Sequence, residues 1–181
     1  MRNVVLKGTG IVLLIILVSF LRSPTVQATD IQVNEGQSIQ EAINQAQPGD
    51  IVTIQKGTYM ELLTIDKSIM LKGEEGAVID GAGEGNVITI TGDAVTIEGL
   101  TMQNSGSKQT DSGIYVQEGS NHVIKDNVFK DTMHGIYVYK SQDNVISGNH
   151  ITSMSKHFSN RGSGIFNYGS IDHTMDDNGM K

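Results

Sequence analysis

Apolar residues recur along the chain in short alternating runs: Leu63 and Ile65, Ile88 and Ile90, Ile114 and Val116, Ile136 and Val138. Alternation over so few residues predicts half-buried β-strands, because successive side chains on a strand point to opposite faces. Gly, Asn and Asp separate the runs, and no stretch between them keeps a helical period over ten residues. That argues against βαβ units and for strands joined directly by turns.

The runs are copies of one another. Gly113-Ile114-Tyr115-Val116 returns 22 residues later as Gly135-Ile136-Tyr137-Val138, with Asn121 opposite Asp143, Val123-Ile124 opposite Val145-Ile146 and Asn127 opposite Asn149. A third copy starts at Gly164-Ile165-Phe166, displaced by an insertion around residues 156–162. Ser170, Asp172, Met175, Asn178 and Met180 then fall opposite Ser141, Asp143, Ile146, Asn149 and Ile151. An earlier copy aligns Ile69, Leu71 and Gly73 with Val95, Ile97 and Gly99.

Stacked strand-turn repeats predict an all-β, right-handed parallel β-helix, a pectin-lyase-like solenoid whose Ile and Val columns fill the interior. Asn127, Asn149 and Asn178, and likewise Gly113, Gly135 and Gly164, are read as corner residues that tolerate positive φ, with an asparagine ladder as the alternative. A solenoid needs a closed end. Ser38 to Ala46 predicts a short capping helix with Ile39, Ala42, Ile43 and Ala46 on one side and capping-box spacing from Ser38 to Glu41. No comparable cap precedes Lys181, so the domain of residues 29–181 is expected to be incomplete at its C-terminal end.

Ahead of the repeats, Arg2 and Lys7 precede an apolar run that ends before Val26-Gln27-Ala28, which predicts a signal peptide over residues 1–28 and an exported protein. Gly8 to Leu21 is shorter than the roughly 20 residues needed to span a bilayer. Removing residues 1–28 takes three of the 13 basic residues and none of the 20 acidic ones, leaving 10 against 20, or −10. Such a balance speaks against a nucleic-acid partner. With no cysteine in the chain, disulfides, thiolate metal sites and a cysteine nucleophile are excluded.

Inward Ile114 and Val116 place Tyr115 outward, and the repeat does the same for Tyr137, Tyr139, Phe166 and Tyr168. An aromatic stripe on an outer sheet face suits a sugar ring or a partner surface, and these residues are the candidate binding site. For a metal, His122, Asn144 and His173 share one turn position, with Asp143 and Asp172 one residue before it. His122, Asp143, Asp172 and His173 are therefore the candidate ligands for copper or zinc. His134 reads as a loop residue, and Asp80 as a turn former. The acidic groups do not show the grouped arrangement that polysaccharide hydrolysis or elimination needs, so no catalytic residue is assigned.

Glu41-Ala42-Ile43, Pro48-Gly49-Asp50, Lys56-Gly57-Thr58-Tyr59 and Val78-Ile79-Asp80-Gly81 look like the opening of exported β-helix proteins related to sugar-acting enzymes. Gly99-Leu100-Thr101-Met102, Asp111-Ser112-Gly113-Ile114 and Arg161-Gly162-Ser163-Gly164-Ile165 resemble the NosD family, from about residue 30 to 170. The resemblance implies a non-catalytic, periplasmic or extracytoplasmic accessory protein for maturing the copper centre of nitrous oxide reductase. Its implied partners are the reductase and ABC transporter subunits, with copper as the implied metal and Arg161 as part of the contact surface. A carbohydrate-binding or polysaccharide-acting β-helix protein is the alternative.

Overall fold

The computed structural model describes residues 27–154, 162–170 and 173–180. Strand β1 (Asp30–Val33) leads into helix α1 (Ile39–Gln45), and from there the chain winds through coils of three strands each. The first coil is β2 (Ile51–Ile54), β3 (Gly57–Tyr59) and β4 (Leu63–Ile65); the second is β5 (Met70–Gly73), β6 (Ala77–Asp80) and β7 (Ile88–Ile90). The third is β8 (Thr96–Glu98), β9 (Thr101–Gln103) and β10 (Ser112–Gln117). The fourth is β11 (Val123–Lys125), β12 (Val128–Thr132) and β13 (His134–Tyr139); the fifth is β14 (Val145–Ser147), β15 (His150–Ser153) and β16 (Ile165–Tyr168). Strands β17 (Thr174–Asp176) and β18 (Gly179–Met180) begin the next turn.

Like strands from successive coils pair in parallel, giving sheets ordered β1-β2-β5-β8-β11-β14-β17, β3-β6-β9-β12-β15-β18 and β4-β7-β10-β13-β16. The fold is thus an all-β parallel solenoid of about five turns with one short helix, as the repeats predicted. Register follows the sequence copies: Tyr115 lies beside Tyr137, Val123 beside Val145, and Tyr137 beside Phe166. Leu71 pairs with Ile97 and Leu63 with Ile88, so the looser early copies are in step as well. The inward columns, Ile65-Ile90-Val116-Val138 and Leu71-Ile97-Ile124-Ile146 among them, form one continuous buried core, with Phe129 its largest fully buried side chain.

Helix α1 closes the N-terminal end by burying Ile39, Ala42 and Ile43. Ser38 accepts the Glu41 N–H, but the carboxylate at this helix start comes from the neighbouring coil. Glu61 accepts hydrogen bonds from the Ser38 hydroxyl and from the N–H groups of Ile39 and Gln40. A negative group there satisfies donors that the helix leaves unpaired.

The asparagines belong to the alternative named above. Asn127, Asn149 and Asn178 do not hold the positive φ; the residues one step earlier, Asp126, Gly148 and Asp177, do. The asparagine side chains instead point inward and run up the stack. Asn127 accepts the Leu100 N–H, Asn149 the Asn127 N–H, and Asn178 the Asn149 N–H, each at 3.1 Å. Each amide also donates to a carbonyl of the coil below, Ile97, Ile124 and Ile146 respectively, at 2.9–3.0 Å. Gly113, Gly135 and Gly164 likewise have no positive φ and are small because of what faces them, the side chains of Phe129, Ile151 and Met180.

Candidate functional site

The five-stranded sheet carries the predicted aromatic face. On its outer side Tyr115, Tyr137 and Phe166 form one column through β10, β13 and β16, and Tyr139 and Tyr168 form the column beside it. Parallel pairing puts identical positions directly above one another, so the rings touch. Tyr115 meets Tyr137 edge-on at 5.3 Å between centroids, Tyr137 meets Phe166 at 4.8 Å with planes tilted by 39°, and Tyr139 stacks on Tyr168 at 5.6 Å and 10°. Tyr168 is 54% exposed, whereas the other four are half-buried. Arg161 lies outside the described residues.

Beside this face, Lys140 reaches over Tyr139 with Nζ 5.0 Å from the ring centre. The Tyr139 hydroxyl, with a smaller contribution from Glu118, holds the Lys140 ammonium above its ordinary pKa. Burial, with Tyr137 and Tyr139 adding to it, raises the Tyr115 phenol.

His134 was not anticipated as part of this cluster. It is the first residue of β13 rather than a loop residue, it is buried, and its ring packs against Tyr137 at 5.4 Å and Phe166 at 5.3 Å. Its Nδ1 accepts the Ser163 N–H at 2.9 Å, which leaves Nε2 protonated to donate to the Gln109 carbonyl, also at 2.9 Å. The sequence signal was available: His134 occupies the strand-entry position held by Ser112 and Ser163 in the neighbouring copies.

Among the described residues the predicted metal ligands do not converge on one point. His122 lies fully buried inside the turn, whereas Asp143 is exposed at a corner with φ 54°. Asp172 lies outside the described residues. His122, Asn144 and His173 do share one turn position, as read from the repeats, but they are rungs of a second ladder. His122 Nδ1 accepts the Val95 N–H at 3.3 Å, Asn144 Oδ1 accepts the His122 N–H at 2.9 Å, and His173 Nδ1 accepts the Asn144 N–H at 3.4 Å.

Burial lowers the pKa of both His122 and His134 below the ordinary imidazole value of 6.5. The opposing pull of nearby backbone groups and of Asp93 and Asp111 is outweighed. A histidine with a lowered folded-state pKa contributes stability that is complete above the unfolded-state value and is lost as pH falls toward the folded-state value. Urea midpoints should therefore drop between pH 7.5 and pH 5.5, a window well above the carboxylate range. His122→Asn should flatten part of that slope. An unchanged midpoint across the window would contradict the assignment.

Asp111 and Asp80 each have structural partners. Asp111 accepts the Lys108 N–H at 2.8 Å to close the turn before β10. Asp80 accepts from Ala82 N–H, Gln103 Nε2 and Asn104 Nδ2, as expected of a turn former. Asp80 also lines an open depression of about 730 Å³ with Met60, Asn104, Asp131 and Met154.

Fold and face together define a parallel β-solenoid of the pectin-lyase-like kind. The architecture is shared with a pectin methylesterase solved with a bound hexasaccharide, which superposes with a TM-score of 0.50 at 18% identity over 85% of this chain and 67% of that one. A likeness of that size concerns the fold alone. The chain belongs to the NosD family: the family described as periplasmic copper-binding protein (NosD) matches residues 27–181. A relative from Pseudomonas aeruginosa, named a probable ABC transporter binding protein NosD, is 36% identical over 74 residues, which is 39% of this chain and 17% of the relative. The matched segment therefore spans under a fifth of that relative's length. Among the described residues no helix is long and apolar enough to cross a membrane, and no group of three His, Cys, Asp or Glu side chains is placed to hold a metal ion.

Proposed function

We propose that this chain is an exported accessory protein that acts in maturation of the copper centre of nitrous oxide reductase, together with an ABC transporter. The observation that carries this reading is the family match, which runs through every repeat from residue 27 to 181. The name of the Pseudomonas relative supports the transporter link. The role is that of a scaffold rather than an enzyme, with copper as cargo of the process. The contact surface is the aromatic face of Tyr115, Tyr137, Tyr139, Phe166 and Tyr168, with Arg161 from the adjoining insertion.

The test is nitrous oxide release under denitrifying growth by a strain lacking the gene. Gas should accumulate on deletion, and consumption should return on complementation with the coding sequence but less so with Tyr137→Ala/Phe166→Ala. A deletion strain that consumes nitrous oxide normally would overturn the reading. Glycan binding would then be tested directly on the same aromatic face.

A further inference from the structure

Copper enters through the family description, and the natural place to seek it is the imidazoles. Each of the three described buried or half-buried histidines is, however, held in one tautomer by the backbone. A main-chain N–H points at Nδ1 of His122 from Val95, of His134 from Ser163 and of His173 from Asn144. An Nδ1 that accepts a hydrogen bond has no proton, so the proton of the neutral ring sits on Nε2. A metal could bind Nε2 only if that proton moved to Nδ1, where it would face the backbone N–H head-on. Binding at Nδ1 would displace the same N–H and leave a buried donor unpaired.

The repeat supplies an independent argument. Asn144 stands at the same rung as His122 and His173, and its amide oxygen accepts the N–H of the coil below just as Nδ1 does. A column in which asparagine substitutes for histidine is selected for an acceptor at one point in space, and an amide oxygen is a poor copper ligand beside imidazole. We infer that His122 and His173 are acceptor rungs of the solenoid and not copper ligands, so that any copper this chain carries is bound by other residues. The inference rests on the family's copper-binding description and not on the maturation role.

The experiment is a titration of the full chain with cuprous ion, delivered from a competing chromogenic chelator, for the parent and for His122→Asn/His173→Asn. Melting curves are recorded on the same samples. The double variant should melt within a few degrees of the parent and bind the same number of copper ions with the same affinity, whether that number is zero or more. His122→Ala, which removes the acceptor, should melt markedly lower. A double variant that folds like the parent but binds one copper fewer, or binds it tenfold more weakly, would overturn the inference. So would one that fails to fold, because asparagine would then not replace the histidine rung.

Discussion

Asn149→Ala is expected to destabilise the solenoid by about 3 kcal/mol, since each buried backbone group left unpaired costs about 1–3 kcal/mol. Asn149 is buried and sits mid-ladder, accepting from both the N–H and the side-chain amide of Asn127 while donating to the Ile124 carbonyl and to Asn178 Oδ1. Truncation leaves the Asn127 N–H and the Ile124 carbonyl without the amide that pairs them. Asn178→Ala makes the informative comparison. Its rung is only partly buried, so water can stand in for the lost amide and the loss should be about half as large. Urea denaturation of the two variants measures the difference. Losses that are equal and below about 0.5 kcal/mol would mean that the ladder contributes little.

Gly135→Ala should be comparably severe for a different reason. A Cβ at Gly135 would stand 2.5 Å from the Ile151 Cγ2 and 2.6 Å from the Gly164 carbonyl oxygen. The first contact is with a core side chain and the second with the backbone just before β16, so neither can move without shifting a coil. Overpacking of this kind costs typically about 1–3 kcal/mol and more where backbone must yield. Gly36→Ala is the control: nothing lies within 4 Å of its Cβ position, and only its φ of +87° opposes the substitution, for about 1 kcal/mol. Equal losses at the two sites would show that the packing around Gly135 gives way to the added methyl group.

The register of the solenoid was legible because its cause is local and repeated. Alternating apolar residues at offsets of 22 and 29 can be buried together only if the copies stack, and stacking makes Tyr115, Tyr137 and Phe166 neighbours without further information. The capping helix was legible for the same reason, in that Ile39, Ala42, Ile43 and Ala46 share a side whatever they pack against. The carboxylate that satisfies its first turn was not, because Glu61 arrives from another coil.

The candidate site divides along the same line. That five aromatic residues share the outer face of one sheet followed from strand alternation alone. How their rings meet, and that His134 joins them, depended on a strand beginning one residue earlier than the glycine motif suggested. The metal candidates show the limit most clearly. The repeat places His122 and His173 at one turn position and Asp143 and Asp172 at the position before it, and adjacency along the chain is not convergence in space. At a solenoid corner one residue in left-handed conformation turns the chain, so Asp143 points to solvent while Asn144 directly after it is buried.

By itself, then, the sequence determined which residues repeat, which face each belongs to and hence the parallel β-solenoid, because hydrophobic burial reads period and not detail. Tertiary structure alone decided what the polar residues at the corners do. A side-chain amide or imidazole becomes a ladder rung only when the backbone N–H of the coil below stands about 3 Å away, and that distance is set by stacking between coils, not by spacing along the chain.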